Sequence, residues 1–273
     1  MPSQFVLAQS RRFLSTLLLI AGLGLGACAT KNAGLETDPM TTGSIDAAQT
    51  VAPGQQVGSF KRTEALAQQW AANPSNVNVG LDYAANLQEM GQTDQQIQVL
   101  KSISVSHPND GPLQAKLGKQ LLKAGRNGEA ITMLERSAAQ PSVDWKTLSA
   151  LGSAYDQQGN YVQARAKYRA GLALQPNQIS IENNLAMSYA MEGKLPDAEK
   201  LLRSALIQPD SASQPRVRQN LALVVGLQGR FDEARTIASA DLPADQVEAN
   251  LNYLQQMLAQ PNTWQQLSKQ SSG

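Results

Sequence analysis

Residues Trp145–Gln178 read WKTLSALGSAYDQQGNYVQARAKYRAGLALQPNQ, two helix-length segments divided at Gly159 and closed by Pro176. Gly152 in the first segment and Ala164 in the second are small enough to let two antiparallel helices approach closely. Leu151, Tyr155, Tyr161 and Tyr168 are placed to interlock around that contact. A glycine after the first segment supplies the left-handed conformation that closes a helix. A proline stops the second, because it has no N–H to donate. The unit recurs: Gly91, Gly125, Gly159 and Gly193 are each 34 residues apart, and Gly229 follows after 36. Pro74, Pro108, Pro141, Pro176 and Pro209 keep steps of 33 to 35. The small residue beside the leucine is Ala84, Gly118, Gly152, Ala186 and Ala222 in turn, and that of the second helix is Ala130, Ala164, Ala198 and Ala234. Each helix pair leaves an apolar face that only a neighbouring pair can cover, so the units must stack.

Composition agrees with that reading. Hydrophobic residues make up 42% of the 273 and charged residues 16%, which marks a folding chain rather than a disordered one. Aromatics are only 5%, so Ala and Leu carry the apolar content, and both favour helices.

The pattern resembles the tetratricopeptide repeat. In Trp145–Gln178 the residues Leu151-Gly152, Tyr155, Gly159, Tyr161, Ala164, Tyr168 and Pro176 occupy that family's Leu-Gly, Tyr, Gly, aromatic, Ala, aromatic and Pro positions. The resemblance implies an all-α, right-handed superhelix (an α-solenoid). Its five repeats are expected at 77–110, 111–144, 145–178, 179–212 and 215–245, with Ser211–Gln214 lengthening the fourth junction. A capping helix, Phe60–Asn73, is expected within 59–76. Another, Gln246–Gln260, is expected within 246–273, with Val247, Leu251, Leu254 and Leu258 on one stripe. Two positions depart from the pattern. Gln96 stands where the second helix of the first repeat should carry alanine, and Asp241 stands at a normally small position, which points to a frayed or modified end.

Residues 1–58 read differently. Arg11 and Arg12 precede an uncharged, mostly apolar run of 13 residues, Phe13 to Leu25. A spanning helix needs about 20 residues, so this run suits a secretory signal instead. It ends in Leu25-Gly26-Ala27-Cys28, which resembles the bacterial lipobox, an aliphatic and two small residues before a cysteine. The resemblance implies cleavage between Ala27 and Cys28, with diacylglyceryl transfer to the thiol and acylation of the new amino group. Several acyl chains meet the multi-chain requirement for firm anchoring, at roughly 0.8 kcal/mol per buried CH₂. A plain secretory signal with an incidental cysteine is the competing reading. The two arginines leave open whether export takes the general or the twin-arginine route. Ala29 is not the aspartate of an inner-membrane retention signal, so lipoprotein sorting rules imply the periplasmic face of the outer membrane of a Gram-negative cell. Residues 28–58, with Gly34, Pro39, Gly43, Pro53, Gly54 and Gly58, show no apolar period and are expected to be a disordered tether.

The sequence offers little for catalysis. Cys28 is the only cysteine, so no internal disulfide forms, and His107, the only histidine, precedes Pro108 as a turn residue. Asp232-Glu233 and Asp197 with Glu199 fall at helix starts, where carboxylates favour the helix dipole. Glycines are spread one per repeat rather than gathered in a phosphate loop. No cofactor, metal, enzymatic activity or small-molecule substrate is expected. Without Arg11 and Arg12 the 23 basic residues become 21 against 22 acidic ones, a balance that disfavours nucleic acid.

What remains is a binding surface. In the family that the repeats resemble, first helices line a concave groove for peptide segments or protein helices. The corresponding positions here include Leu81, Ala85 and Gln88, then Ala115, Lys119 and Lys123, then Ser149, Ser153 and Asp156. They continue with Asn183, Met187 and Met191, then Arg216, Gln219 and Leu223. Lys116, Lys119 and Lys123 share one helical stripe and could hold an acidic segment or a chain terminus; a solvated lysine face is the competing reading. Repeats two to four lack the full Lys, Asn and Arg set of the two-carboxylate clamp found in chaperone-binding relatives.

Lipobox, Thr/Ser-rich tether and five repeats together resemble the TadD lipoproteins of the tight-adherence (Flp) pilus assembly system. That resemblance implies a scaffold or assembly factor whose partners are pilus assembly proteins, among them a secretin or another outer-membrane client. A pilotin of type IV pili or secretion systems, and a general envelope adaptor for peptidoglycan enzymes or outer-membrane protein insertion, remain alternatives. Cys28→Ser should release the protein from the membrane fraction; continued outer-membrane residence of that variant would remove the anchor.

Overall fold

The computed structural model describes residues 60–209 and 214–259, and among them the chain forms twelve helices and no strand. All belong to one of the chain's two units, Val57–Gly273; the other, Met1–Gln56, lies outside the described residues, as do the expected signal, lipid site and tether. A leading helix, α1 (Phe60–Ala72), precedes five pairs: α2 (Val77–Glu89) with α3 (Thr93–Ser106), α4 (Gly111–Lys123) with α5 (Asn127–Ala138), α6 (Trp145–Gln157) with α7 (Tyr161–Leu174), α8 (Ile179–Met191) with α9 (Leu195–Leu206), and α10 (Pro215–Leu227) with α11 (Phe231–Ala238). A last helix, α12 (Ala244–Ala259), closes the stack. Each helix packs on the next in sequence, and the first helices of neighbouring pairs also touch, most closely from α4 onwards.

The turn inside every pair has one geometry. Gly91, Gly125, Gly159, Gly193 and Gly229 adopt φ values of 70° to 90°, the region where a side chain is strained. The residue after each glycine donates its N–H back to the third-last residue of the first helix, as Asn160 does to Tyr155 at 2.9 Å and Arg126 to Leu121 at 2.9 Å. This satisfies carbonyls that the helix end would otherwise leave unpaired. The starts of the first three first helices have side-chain caps 34 residues apart. Asn76, Asp110 and Asp144 accept from Val79, Leu113 and Thr147 N–H at 3.2, 2.9 and 2.6 Å.

Packing within each pair centres on the small residues. Ala130, Ala164, Ala198 and Ala234 are fully buried, as are Ala84 and Ala186. At Gly118 a Cβ would lie 2.6 Å from Leu134 Cγ, and at Gly152 it would lie 2.6 Å from Tyr168 Cε1. Leu87, Leu100, Leu121, Leu134, Leu151 and Leu202 fill the surrounding core, and full burial of such a side chain contributes about 1.5–3 kcal/mol.

Both departures from the repeat pattern have a physical answer. Gln96 is 1% exposed in the alanine position, and its amide donates to Gln88 Oε1 at 3.0 Å. Asp241 takes a two-pronged ion pair from Arg218, at 2.6 and 2.7 Å. The fifth pair is modified as expected: α11 is only 8 residues long, and α12 begins at Ala244 rather than Gln246. Val247, Leu251 and Leu254 are buried in α12, while Leu258 is half-buried.

The junction between the third and fourth pairs contains a buried polar cluster. Asp156, 4% exposed, accepts from Tyr168 Oη at 2.9 Å and from Ser188 Oγ at 2.6 Å, and Tyr168 Oη lies 3.1 Å from Ser153 Oγ. Arg165, also buried, stacks on Tyr189 with 4.5 Å to the ring centroid and pairs with Glu192 at 2.7 Å. Burial pushes the Asp156 carboxyl up to about 7, against the opposing hydrogen bonds of Ser188 and Tyr168 and the charge of Arg165. Burial likewise pushes the Tyr168 hydroxyl well above its ordinary value.

Two outcomes follow for stability. Ala164→Trp, which forces α6 and α7 apart, should cost about 1–3 kcal/mol or more through overpacking, read as a lowered melting temperature; an unchanged melting curve would contradict this helix contact. Because the folded protein holds the Asp156 proton more tightly than the unfolded chain does, its contribution is fully present below the unfolded value of 3.8 and is lost as pH rises to about 7. Melting temperature measured between pH 5 and pH 8 should therefore fall as pH rises and level off above about 7, and Asp156→Asn should flatten that slope.

Candidate protein-binding face

First helices are cross-linked side by side through polar side chains at three of their four junctions, α2 to α4, α6 to α8 and α8 to α10. Gln120 on α4 donates to Gln88 on α2 at 3.2 Å. Asn184 on α8 donates to Ser149 on α6 at 3.3 Å, and Asn220 on α10 donates to Asn183 on α8 at 2.8 Å. Ser188 on α8 donates to Asp156 on α6. These rungs hold the first helices in register, and amide groups held in place can serve a bound chain as donors and acceptors.

The residues singled out from the sequence fall into three groups. Lys116 and Lys119 are half-buried and Lys123 is exposed, and none of the three makes an ion pair among the described residues. Asn183, Met191 and Gln219 are half-buried and Arg216 is exposed at the start of α10, so all four remain open to a partner. Met187 and Asp156 differ from expectation. Met187 is 7% exposed, because α8 is apolar on most of its circumference, with Ile181, Leu185, Ala186 and Ala190 buried beside it. Asp156 is sealed in the cluster described above rather than open on the face.

A cleft of about 270 Å³ opens beside α4. Gly111, Pro112, Ala115, Lys116 and Lys119 line it from α4, Ser137 from α5, Ser142, Val143 and Asp144 from the loop, and Thr147 from α6. It coincides with a change at the repeat positions. The pair of positions that holds Ser149 with Asn184, and Asn183 with Asn220, is occupied here by Ala115 and Ala150, which cannot bridge. The rung is missing, and the cleft opens beside Ala115. The sequence did carry that signal, but only once the pairing positions are known.

Polar contacts made by the second helices, to one another or to the first helix of the next pair, cross each junction. Lys101 pairs with Glu129, Tyr155 Oη donates to Glu135, Arg169 donates to Tyr189 Oη at 2.6 Å, and Arg235 pairs with Glu248 at 2.6 Å. Glu199, Arg203, Arg230 and Glu233 form a ring of ion pairs between the fourth and fifth pairs. Exposed pairs of this kind are worth about 0–1 kcal/mol each, so they fix orientation more than they stabilise. His107 ends α3 with Nδ1 3.2 Å from the Ile103 carbonyl oxygen. Among the described residues no three His, Cys, Asp or Glu side chains gather where a metal could bind, and no helix is long and apolar enough to cross a membrane.

Comparison with known proteins agrees with this architecture. Tetratricopeptide-repeat family models match residues 116–179 and 215–240. No curated protein matches the chain. Among solved structures, a tetratricopeptide repeat protein from Parabacteroides merdae is similar with a TM-score of 0.58 at 12% identity, over 77% of this chain and 91% of that one. PilW, described as a widely conserved type IV pilus biogenesis factor, is similar with a TM-score of 0.55 at 18% identity, over 75% and 89% of the two chains. YrrB, described as a tetratricopeptide protein with an unusual peptide-binding site, is similar with a TM-score of 0.52 at 14% identity, over 68% and 99%. At these identities the likeness is one of fold. The chain has the fold of a tetratricopeptide-repeat solenoid, with the repeats themselves matched at residues 116–179 and 215–240.

Proposed function

We propose that this chain is an outer-membrane lipoprotein whose repeats hold a client protein while pilus machinery, above all a secretin, assembles beside it. The carrying observation is the face built from the first helices. It is ordered by polar rungs at three of its four junctions and supplied with side chains that reach solvent (Lys119, Lys123, Met191, Arg216 and Gln219), with Asn183 beside them in a rung. Such a surface suits a helix or extended segment of another protein. The anchor part of the reading rests on Leu25-Gly26-Ala27-Cys28, and the pilus part on the resemblance of lipobox, tether and repeats to the TadD lipoproteins. The fold shared with PilW, a type IV pilus biogenesis factor, favours a second reading: a pilotin of ordinary type IV pili.

Affinity purification of the chain from its own membranes should recover a secretin of a tight-adherence system. Arg216→Glu combined with Gln219→Trp should abolish that recovery while leaving the melting temperature unchanged, since both side chains lie on the open face. Recovery of a type IV pilus secretin would favour the second reading. Recovery of peptidoglycan hydrolases or barrel-assembly proteins, with pilus production normal in a deletion strain, would overturn both in favour of a general envelope adaptor.

A further inference from the structure

The first-helix face differs along its length. From α6 onwards the rungs are complete, whereas between α4 and α6 a rung is missing and the cleft opens beside Ala115. Lys116 and Lys119 project at this gap, with Lys123 one turn further along the same helix. The carboxylate at the gap, Asp144, is committed to capping α6 through Thr147 N–H at 2.6 Å. Despite burial, the hydrogen bonds of Thr147 and then the charge of Lys119 hold the Asp144 carboxyl below its ordinary range. Three cations thus share one helix stripe beside an open cleft, and no acid of this chain forms an ion pair with them among the described residues. On the outer faces, Arg203, Arg230 and Arg235 are by contrast paired with acids of this chain.

The spacing selects the anion. Lys119 and Lys123 are separated by roughly 6 Å along the helix axis, and all three lysines span roughly 10 Å. Alternate side chains of an extended segment lie on one side and repeat every roughly 6.6 Å, which matches the lysine step. A lone terminal carboxylate would place one charge against three. We propose that the α4 face is a docking site for an extended acidic segment of the client, with Asp or Glu side chains at alternate positions, one seated on Lys119 at the cleft and the next on Lys123, with Lys116 flanking the first. This deepens the scaffold reading above and rests on it.

The test is fluorescence anisotropy of the full-length chain with short, amidated Gln/Ala peptides. One carries two glutamates at alternate positions, a second carries them adjacent, and a third carries none but keeps a free terminal carboxylate. The alternate peptide should bind most tightly and weaken as salt is raised. Lys119→Ala should weaken it roughly threefold and Lys119→Ala with Lys123→Ala roughly tenfold, with Lys200→Ala on α9 without effect. Equal binding of the alternate and adjacent peptides, equal binding of the terminal carboxylate, or equal sensitivity to Lys200→Ala would overturn the inference. The Arg216/Gln219 variant reads the far end of the face. Lost client recovery there, with no peptide binding here, would sink the acidic segment and leave the scaffold standing; failure of both would remove both.

Discussion

Close approach of two helices at a residue with almost no side chain is the constraint on which the rest of the molecule depends. Where α6 meets α7, Gly152 lies under the ring of Tyr168 so tightly that a methyl group would clash, and Ala164 is sealed on the opposite helix. This contact fixes the angle of the pair, and the glycine turn fixes its connection. Once angle and connection repeat every 34 residues, the stacking of the first helices into one face follows without further instruction. Tyr168 also shows how the core extends outward. Its ring fills the space over Gly152, while its hydroxyl reaches Asp156 and so joins the third pair to the fourth.

Much of this was legible in the sequence, because the determining residues are those with the fewest alternatives. Gly91, Gly125, Gly159, Gly193 and Gly229 take the left-handed conformation their spacing implied. The buried alanines sit where sterics require them. The helix caps Asn76, Asp110 and Asp144 keep the same interval and could have been read directly. Polar pairing was less visible. Nothing in a linear pattern says that Gln96 finds Gln88 or that Asp241 finds Arg218, since each partner lies on another helix and many residues could have served. The binding face was predicted by position alone. Position agrees with exposure for the lysines, Arg216 and Gln219, which reach solvent, but not for Met187 and Asp156, which are buried.

Function in such a solenoid comes from variation on a fixed frame. Ion pairs and tyrosine contacts that each involve a second helix or the last helix cross every junction, so the frame does not depend on the first-helix rungs alone for its order. That leaves the face free to change. Complete rungs beside α8 and α10, a missing one beside α4, and cations concentrated at the gap give the two ends of a uniform backbone different chemistry.

Gln88 Oε1 accepts from Gln96 within its own pair and from Gln120 in the next. One oxygen therefore belongs to two interfaces at once. Separating α2 from α3 releases the amide that holds the second pair, and lifting the first pair off the second strips the partner from a buried glutamine. Peeling of the array from this end is thereby discouraged as a stepwise process, and the two leading repeats are coupled into a single cooperative block, where identical alanine-bearing units would fray one by one.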